Sequence, residues 1–348
     1  MAKLTTAHGA GGRSMQRMLR ERVLPHLITD AGEVPLSAMD DSGVIGDIVL
    51  TTDSHTVKPL FFPGGDIGSL SIAGTINDIS VMGAEPVAMS FAVVAEEGFD
   101  ADELERIAKS AGATAKKAGV PIITGDTKVV ERGGVDGLIL NTSAVGKRQP
   151  ALDGNLTEVA RHRPIASRWL EDRNVADGDA IIVSGTLGDH GVAILSARKG
   201  IDFESDVVSD VAPLNGMILK ALKVGGIAAM KDPTRGGLAN TLNEFSEKSG
   251  VGIQIDEEKV PIRPAVRSAC GMLGIDPLEV GNEGKAVMAA VPKMADAVLE
   301  ALRNTHEGRD AAIIGHATKA VRGVVMRTRV GGRRIVEAPI ADPVPRIC

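Results

Sequence analysis

Aromatic side chains are scarce: 2% of the chain, with one Trp, six Phe and no Tyr. Modules that bind single-stranded nucleic acid by stacking bases on exposed rings need more than that. The formal net charge of −6 argues the same way, against nucleic acid and against anionic membrane surfaces. Cys270 and Cys348 are the only two cysteines, so there is no disulfide framework and no zinc-ligand spacing. No run approaches the ~18 apolar residues of a membrane-spanning helix. The opening Met1-Ala2-Lys3-Leu4-Thr5-Thr6 lacks the apolar core of a secretory leader. The expectation is a cytoplasmic chain with no nucleic-acid or membrane partner. No G-x-x-x-x-G-K-[ST] motif occurs, and Ser14 stands where the third glycine of a dinucleotide fingerprint would be. Glycine-loop amides can still bind phosphate without formal charge, and the chain has 41 glycines.

A length of 348 residues, with 43% apolar and 24% charged side chains, fits a soluble protein of two domains. Strand-length apolar runs alternate with longer helical patterns. In the first half, strands are predicted at 48–50, 87–95, 121–124 and 138–145, and helices at 69–82 and 102–118. Leu104, Ile107, Ala108, Ala111, Ala115 and Ala118 mark one face of the latter helix and Gly119 stops it. Periodicity fades between 151 and 164, where a domain boundary is expected. The second half reads as strands near 180–184, 251–255, 285–291, 311–314 and 324–328. Its helices are predicted from Gly188 to about Lys199, at 237–248 and at 294–303. The fold class expected is α/β: two mixed domains, 1–150 and 151–335. A tail, 336–348, carries Pro339, Pro343 and Pro345 and so is expected to be extended and flexible. At ~3.1 Å per residue such a tail reaches on the order of 35 Å.

Several groups are candidates for chemistry. His8-Gly9-Ala10-Gly11-Gly12-Arg13 is either a phosphate-cradling loop or a terminal turn. Asp40, Asp41, Asp53, Asp66, Asp78, Asp126 and Asp232 fall at expected strand ends and helix starts. Each alone reads as a turn or cap residue, whereas together they offer the oxygen ligands that Mg²⁺ takes when it bridges nucleotide phosphates. Lys231-Asp232-Pro233-Thr234-Arg235-Gly236-Gly237 precedes a helix. There Thr234 is a candidate cap, and the glycines would open the amide end to an anion beside Arg235. Glu283, in Gly281-Asn282-Glu283-Gly284-Lys285, is either a general base or a solvated turn residue. Cys270 reads as a structural core thiol. Cys348, at the end of the proline-rich arm, reads as exposed and available, titrating near ~8.5, with Arg346 favouring the thiolate and the terminal carboxylate opposing it.

Taken in order, these motifs resemble one family. The stretches are Ala7–Gly12, Thr51-Thr52-Asp53-Ser54-His55, Phe62-Pro63-Gly64-Gly65-Asp66-Ile67-Gly68, Gly74–Ala84, Gly125-Asp126-Thr127-Lys128-Val129, Asp232–Ala239, Gly281–Lys285 and Pro345-Arg346-Ile347-Cys348. The chain is similar to the HypE carbamoyl dehydratases of nickel–iron hydrogenase maturation. These belong to the ATP-binding superfamily of aminoimidazole ribonucleotide synthetase, selenophosphate synthetase and thiamine monophosphate kinase.

The resemblance implies ATP and Mg²⁺ as cofactors and a homodimer closed by a β-barrel of the N-terminal domains. It implies HypF carbamoyltransferase as the partner that loads Cys348, and the HypC–HypD complex as the acceptor of the cyanide made there through a thiocyanate. Carried over by position, Asp41, Asp53, Asp78 and Asp232 are the expected metal ligands. His8, Gly11, Gly12, Thr52, Asp53, Asn77, Gly125, Asp126, Arg235 and Gly236 are expected around the nucleotide. Cys348, Lys128 and Glu283 are expected to act in catalysis, Lys128 on the transferring phosphate and Glu283 as base. Two rivals stand beside this reading. A selenophosphate synthetase-like phosphotransferase would carry a reactive cysteine near the N-terminal glycine cluster, which holds none. A nucleotide-sensing scaffold would use the tail only for docking.

Overall fold

The computed structural model describes residues 3–198 and 206–348. The first half is built on a five-stranded sheet. Its strands run in the order Gly43–Ile45, Ile48–His55, Leu138–Lys147, Glu85–Glu96 and Ile122–Val130. All pairs are antiparallel except the last, which is parallel. A parallel pair needs a crossover, and the helix Ala101–Ala118 supplies it. Asp100 caps that helix by accepting from the amides of Asp102 and Glu103. Gly119 ends it at φ 72°, a left-handed conformation that glycine adopts without strain. Ile107, Ala111 and Ala115 are its buried face, whereas Ala108, also expected there, is exposed because it is displaced around the helix from that stripe.

The helix Ile67–Val81 is different in kind. Nearly every side chain on it is buried, as expected for a helix apolar all round. Asp66 and Ser69 form its capping box. Its Ile72, Ile76 and Ile79 share one core with Ile182, Met217, Ile218, Met230 and Met288 of the second half. The two halves are therefore welded along this helix.

The second half carries a seven-stranded sheet. The order is Arg333–Ile335, Val324–Arg327, Gly252–Asp256, Ala312–Thr318, Ala180–Val183, Val287–Ala290 and Ile227–Lys231. The segment where periodicity fades is the helix Pro150–His162, whose Asn155 side chain bonds both the amide and the carbonyl of Ile227. Its buried face of Leu152, Asn155, Leu156 and Val159 includes a polar residue, which blurs the apolar pattern. The helix expected to reach Lys199 runs over Asp189–Ser196; Lys199 itself lies outside the described residues. Among the described residues, no helix is long and apolar enough to cross a membrane.

The tail is extended, as its prolines dictate, but it is not free. Arg13 and Ser14 donate backbone N–H to Pro339 and Ile340, and Asp342 donates to Ala10. Lys58 donates to the carbonyl of Arg346 at 3.2 Å, and Thr56 to the carboxylate of Cys348 at 3.0 Å. Val344 and Ile347 are buried in the cluster that holds Phe62, Leu70, Leu140 and Ile194. Two apolar side chains and a string of backbone bonds thus overcome the flexibility expected of a proline-rich arm.

Candidate functional site

Alternation along the strand Ile48–His55 turns Thr51, Asp53 and His55 inward, toward the buried helix. Thr51 donates to Asp78 of that helix at 2.8 Å, and Thr75 donates to Asp53 at 3.0 Å. Asp232 follows the strand Ile227–Lys231 and accepts from Thr234 at 2.9 Å. Thr234 is therefore not the helix cap; Gly236 is, at φ 79°. These carboxylates, with Glu283, Arg235 and Cys348, line one cavity of about 380 Å³ between the two halves.

Burial first, and repulsion from neighbouring carboxylates second, raise Asp78 and Glu283. Asp78 is held well above the carboxylate range by desolvation and then by Asp53, Asp232 and Asp41. Glu283 is raised likewise by desolvation, Asp232, Asp210 and Asp53. Asp232 is pushed up to about 6, chiefly by burial. The Glu283 Oε1 atom is buried without a hydrogen-bond partner. Such an oxygen set fits a hard divalent cation and the phosphates it would bridge. No three His, Cys, Asp or Glu among the described residues form a ready-made ligand cluster. Asp41 is instead committed to Lys231 at 2.6 Å.

Lys231 belongs to a second layer that the sequence did not reveal. Its ammonium also meets Asp172 at 3.3 Å and Glu244 at 3.1 Å. Lys248 meets Asp40 and Asp172 at 2.7 Å each. The adjacency of Lys231 and Asp232 was the one available signal; the partners come from remote segments.

The remaining expected residues divide clearly. Gly11 and Thr52 line the cavity. Gly11, at φ 72°, lies where a Cβ would come within 2.6 Å of the Arg235 Cβ. Gly12 makes room for the tail instead, since a Cβ there would sit 2.3 Å from the Pro339 carbonyl. The Gly236 amide, expected to face an anion, donates to Asp342 of the tail at 2.9 Å. His8 bonds Thr5 at 2.9 Å, apart from the cavity. Asn77 clamps the backbone of Ala212, Leu214 and Glu283, and so fixes the Glu283 turn. Gly125, Asp126 and Lys128 lie within the exposed edge strand Ile122–Val130, separated from Asp53's strand by two others. The register sets Asp126 beside Ala92, Asn141 and Ser54 in one cross-strand row.

Cys348 also differs from expectation. It is half-buried at the cavity edge, and desolvation pushes its thiol up to about 12, with Arg235 pulling the other way. Arg346 does not serve the thiol. It donates to the Thr56 carbonyl at 2.8 Å and pairs with Asp136. Cys270 is a buried core thiol, as expected.

The chain matches the family descriptions "AIR synthase related protein, N-terminal domain" over residues 39–147 and "AIR synthase related protein, C-terminal domain" over 176–327. The carbamoyl dehydratase HypE of Rhizobium leguminosarum is 45% identical over 99% of this chain and 95% of its own length. That of Escherichia coli is 38% identical over the full length of both. This chain belongs to the HypE family. Its fold is correspondingly close to solved HypE structures. A HypE from a HypE–HypF complex superposes with a TM-score of 0.84 at 42% identity, covering 92% of this chain and 99% of that one. A HypE in complex with ATP gives 0.79 at 40% identity, covering 99% and 100%. Thiamine monophosphate kinase of Aquifex aeolicus, 18% identical with a TM-score of 0.60, shares the fold alone.

Proposed function

We propose that this HypE uses ATP to convert an S-carbamoyl group on Cys348 into a thiocyanate, with HypF as the carbamoyl donor and HypC–HypD as the cyanide acceptor. One observation carries the reading. The C-terminal thiol is delivered by its own tail to the same cavity as Glu283, Arg235 and the buried aspartates. A tail used only for docking gives no reason for that placement.

Removing water from an amide requires turning its oxygen into a leaving group. In the proposed step the carboxamide oxygen attacks the γ-phosphate, releasing ADP. The N–H protons are then lost as the C–O bond breaks, leaving S–C≡N and inorganic phosphate. A divalent cation such as Mg²⁺, held by Asp53, Asp78 and Asp232, would neutralise the phosphate charge. Glu283 is the base: its Oε1 has no hydrogen-bond partner, and burial among other carboxylates raises its affinity for a proton. Arg235 offers a charge that carboxylates and phosphate share.

Lys128 and Asp126 enter this scheme through a second copy. The outer face of the five-stranded sheet exposes Ile45, Ile48, Leu50, Val87 and Val145, an apolar surface that a partner sheet would cover as a barrel. The row from Asp126 to Ser54 lies on that face, beside the cavity that Ser54 lines. Glu283→Gln and Lys128→Ala test these roles by phosphate release from carbamoylated protein. Each is expected to slow dehydration at least ~100-fold, as for loss of a general base or of a phosphate-neutralising charge. Full activity in either variant removes that residue from the mechanism.

A further inference from the structure

His190 is buried on the helix Asp189–Ser196 and takes no part in the chemistry above. Its ring stands edge-on to Phe62, with centroids 5.4 Å apart. Nε2 lies 2.9 Å from the carbonyl oxygen of Ile347, and Nδ1 lies 2.8 Å from Ser209 Oγ. The carbonyl can only accept, so Nε2 carries the hydrogen. Burial lowers the imidazole pKa, so the ring is neutral and Nδ1 is the acceptor. Ser209 must then donate to it, while its oxygen accepts from the Val211 amide at 3.1 Å. The hydrogen bonds of the chain Val211–Ser209–His190–Ile347 all run the same way, each group donating to the next, which fixes the tautomer.

The side chain of Ile347 is read at the same place. A Cβ on Gly191 would come within 2.3 Å of Val280 and 3.2 Å of the Ile347 Cδ1 atom. A Cβ on Gly281 would come within 3.0 Å of that same Cδ1. Two glycines thus form a slot for the residue before Cys348, and His190 holds that residue's carbonyl above it.

We propose that His190, oriented by Ser209, is a positioning residue that clamps Ile347 and so sets the balance between a docked Cys348 and a free one. The consequence for turnover rests on the function proposed above. A loading enzyme needs the thiol out, and dehydration needs it in. Weakening the clamp therefore speeds one step and slows the other, which a merely structural role would not do.

The test is iodoacetamide alkylation of Cys348 in the full-length protein, with buried Cys270 as internal control and thermal denaturation alongside. His190→Phe keeps an aromatic ring and removes the donor. It is expected to raise the Cys348 rate roughly tenfold, the worth of one buried hydrogen bond. His190→Gln restores an N–H donor and is expected to return toward the parent rate. Ser209→Ala is expected to shift the rate in the same direction as His190→Phe. A His190→Phe protein that melts like the parent and alkylates at the parent rate overturns the proposal. Should that variant not fold, an unchanged rate in Ser209→Ala overturns it instead. With HypF, carbamoyl phosphate and ATP, His190→Phe is expected to load faster and dehydrate more slowly. Faster alkylation in a protein that HypF never loads keeps the clamp and fails the function.

Discussion

The docked thiol titrates far above a free one, and that difference makes docking sensitive to alkali. The ordinary thiol value is 9.0, and in the docked tail burial pushes it up to about 12. Well below pH 9 both states carry the proton and docking is at full strength. Between 9 and 12 only the released thiol ionises, so release is favoured. Ten per cent of free thiol is ionised at pH 8 and about ninety per cent at pH 10, so docking weakens by about tenfold between them. The Thr56 and Lys58 amides, which donate to the Cys348 carboxylate and the Arg346 carbonyl, report docking through hydrogen exchange. Exchange itself is base-catalysed, so the reference is Cys348→Ser, which does not titrate in this range. The protection of both amides in the parent, divided by that in Cys348→Ser, is expected to fall about tenfold from pH 8 to pH 10. A ratio that stays flat would show that the thiol is not desolvated in the docked tail.

Two further outcomes follow from the site's surroundings. Lys231→Met leaves Asp41, Asp172 and Glu244 buried without their shared cation. It is expected to cost ~3–5 kcal/mol, read as a fall in the thermal midpoint on the order of ten degrees; an unchanged midpoint would remove this network from the stability of the cleft. Leu50→Glu puts a charge on the exposed sheet face and is expected to yield a monomer by sedimentation velocity, with near-parent melting; a parent that is itself monomeric refutes the barrel.

The legible parts of this structure are those in which one short segment decides its own conformation. The helix Ala101–Ala118 announces itself through a capping aspartate, a 3.6-residue apolar period and a terminal glycine. The tail announces its extension through three prolines. That the tail enters the cleft was implied by the family resemblance alone; its own residues do not show it, because docking depends on Gly12, His190 and Gly281 lying far apart in sequence yet adjacent to it. The aspartates of the cavity stood out through their motifs. Their counter-charges Lys231 and Lys248 did not, since a buried ion pair leaves no local pattern. Asp126 and Lys128 show the opposite failure. Their motif looks like a loop beyond a strand, yet the strand continues through it to Val130. This edge strand is exposed along almost its whole length, so no burial alternation marks its extent.

The central claim is that the protein performs chemistry on its own last residue, and intact mass spectrometry tests it directly. The protein is incubated with HypF, carbamoyl phosphate and ATP, freed of these reagents, and then given ATP alone. The account predicts a carbamoyl adduct confined to Cys348, followed by loss of one water that requires ATP and fails in Glu283→Gln. No adduct on Cys348 with active HypF, or an adduct that never loses water, contradicts it.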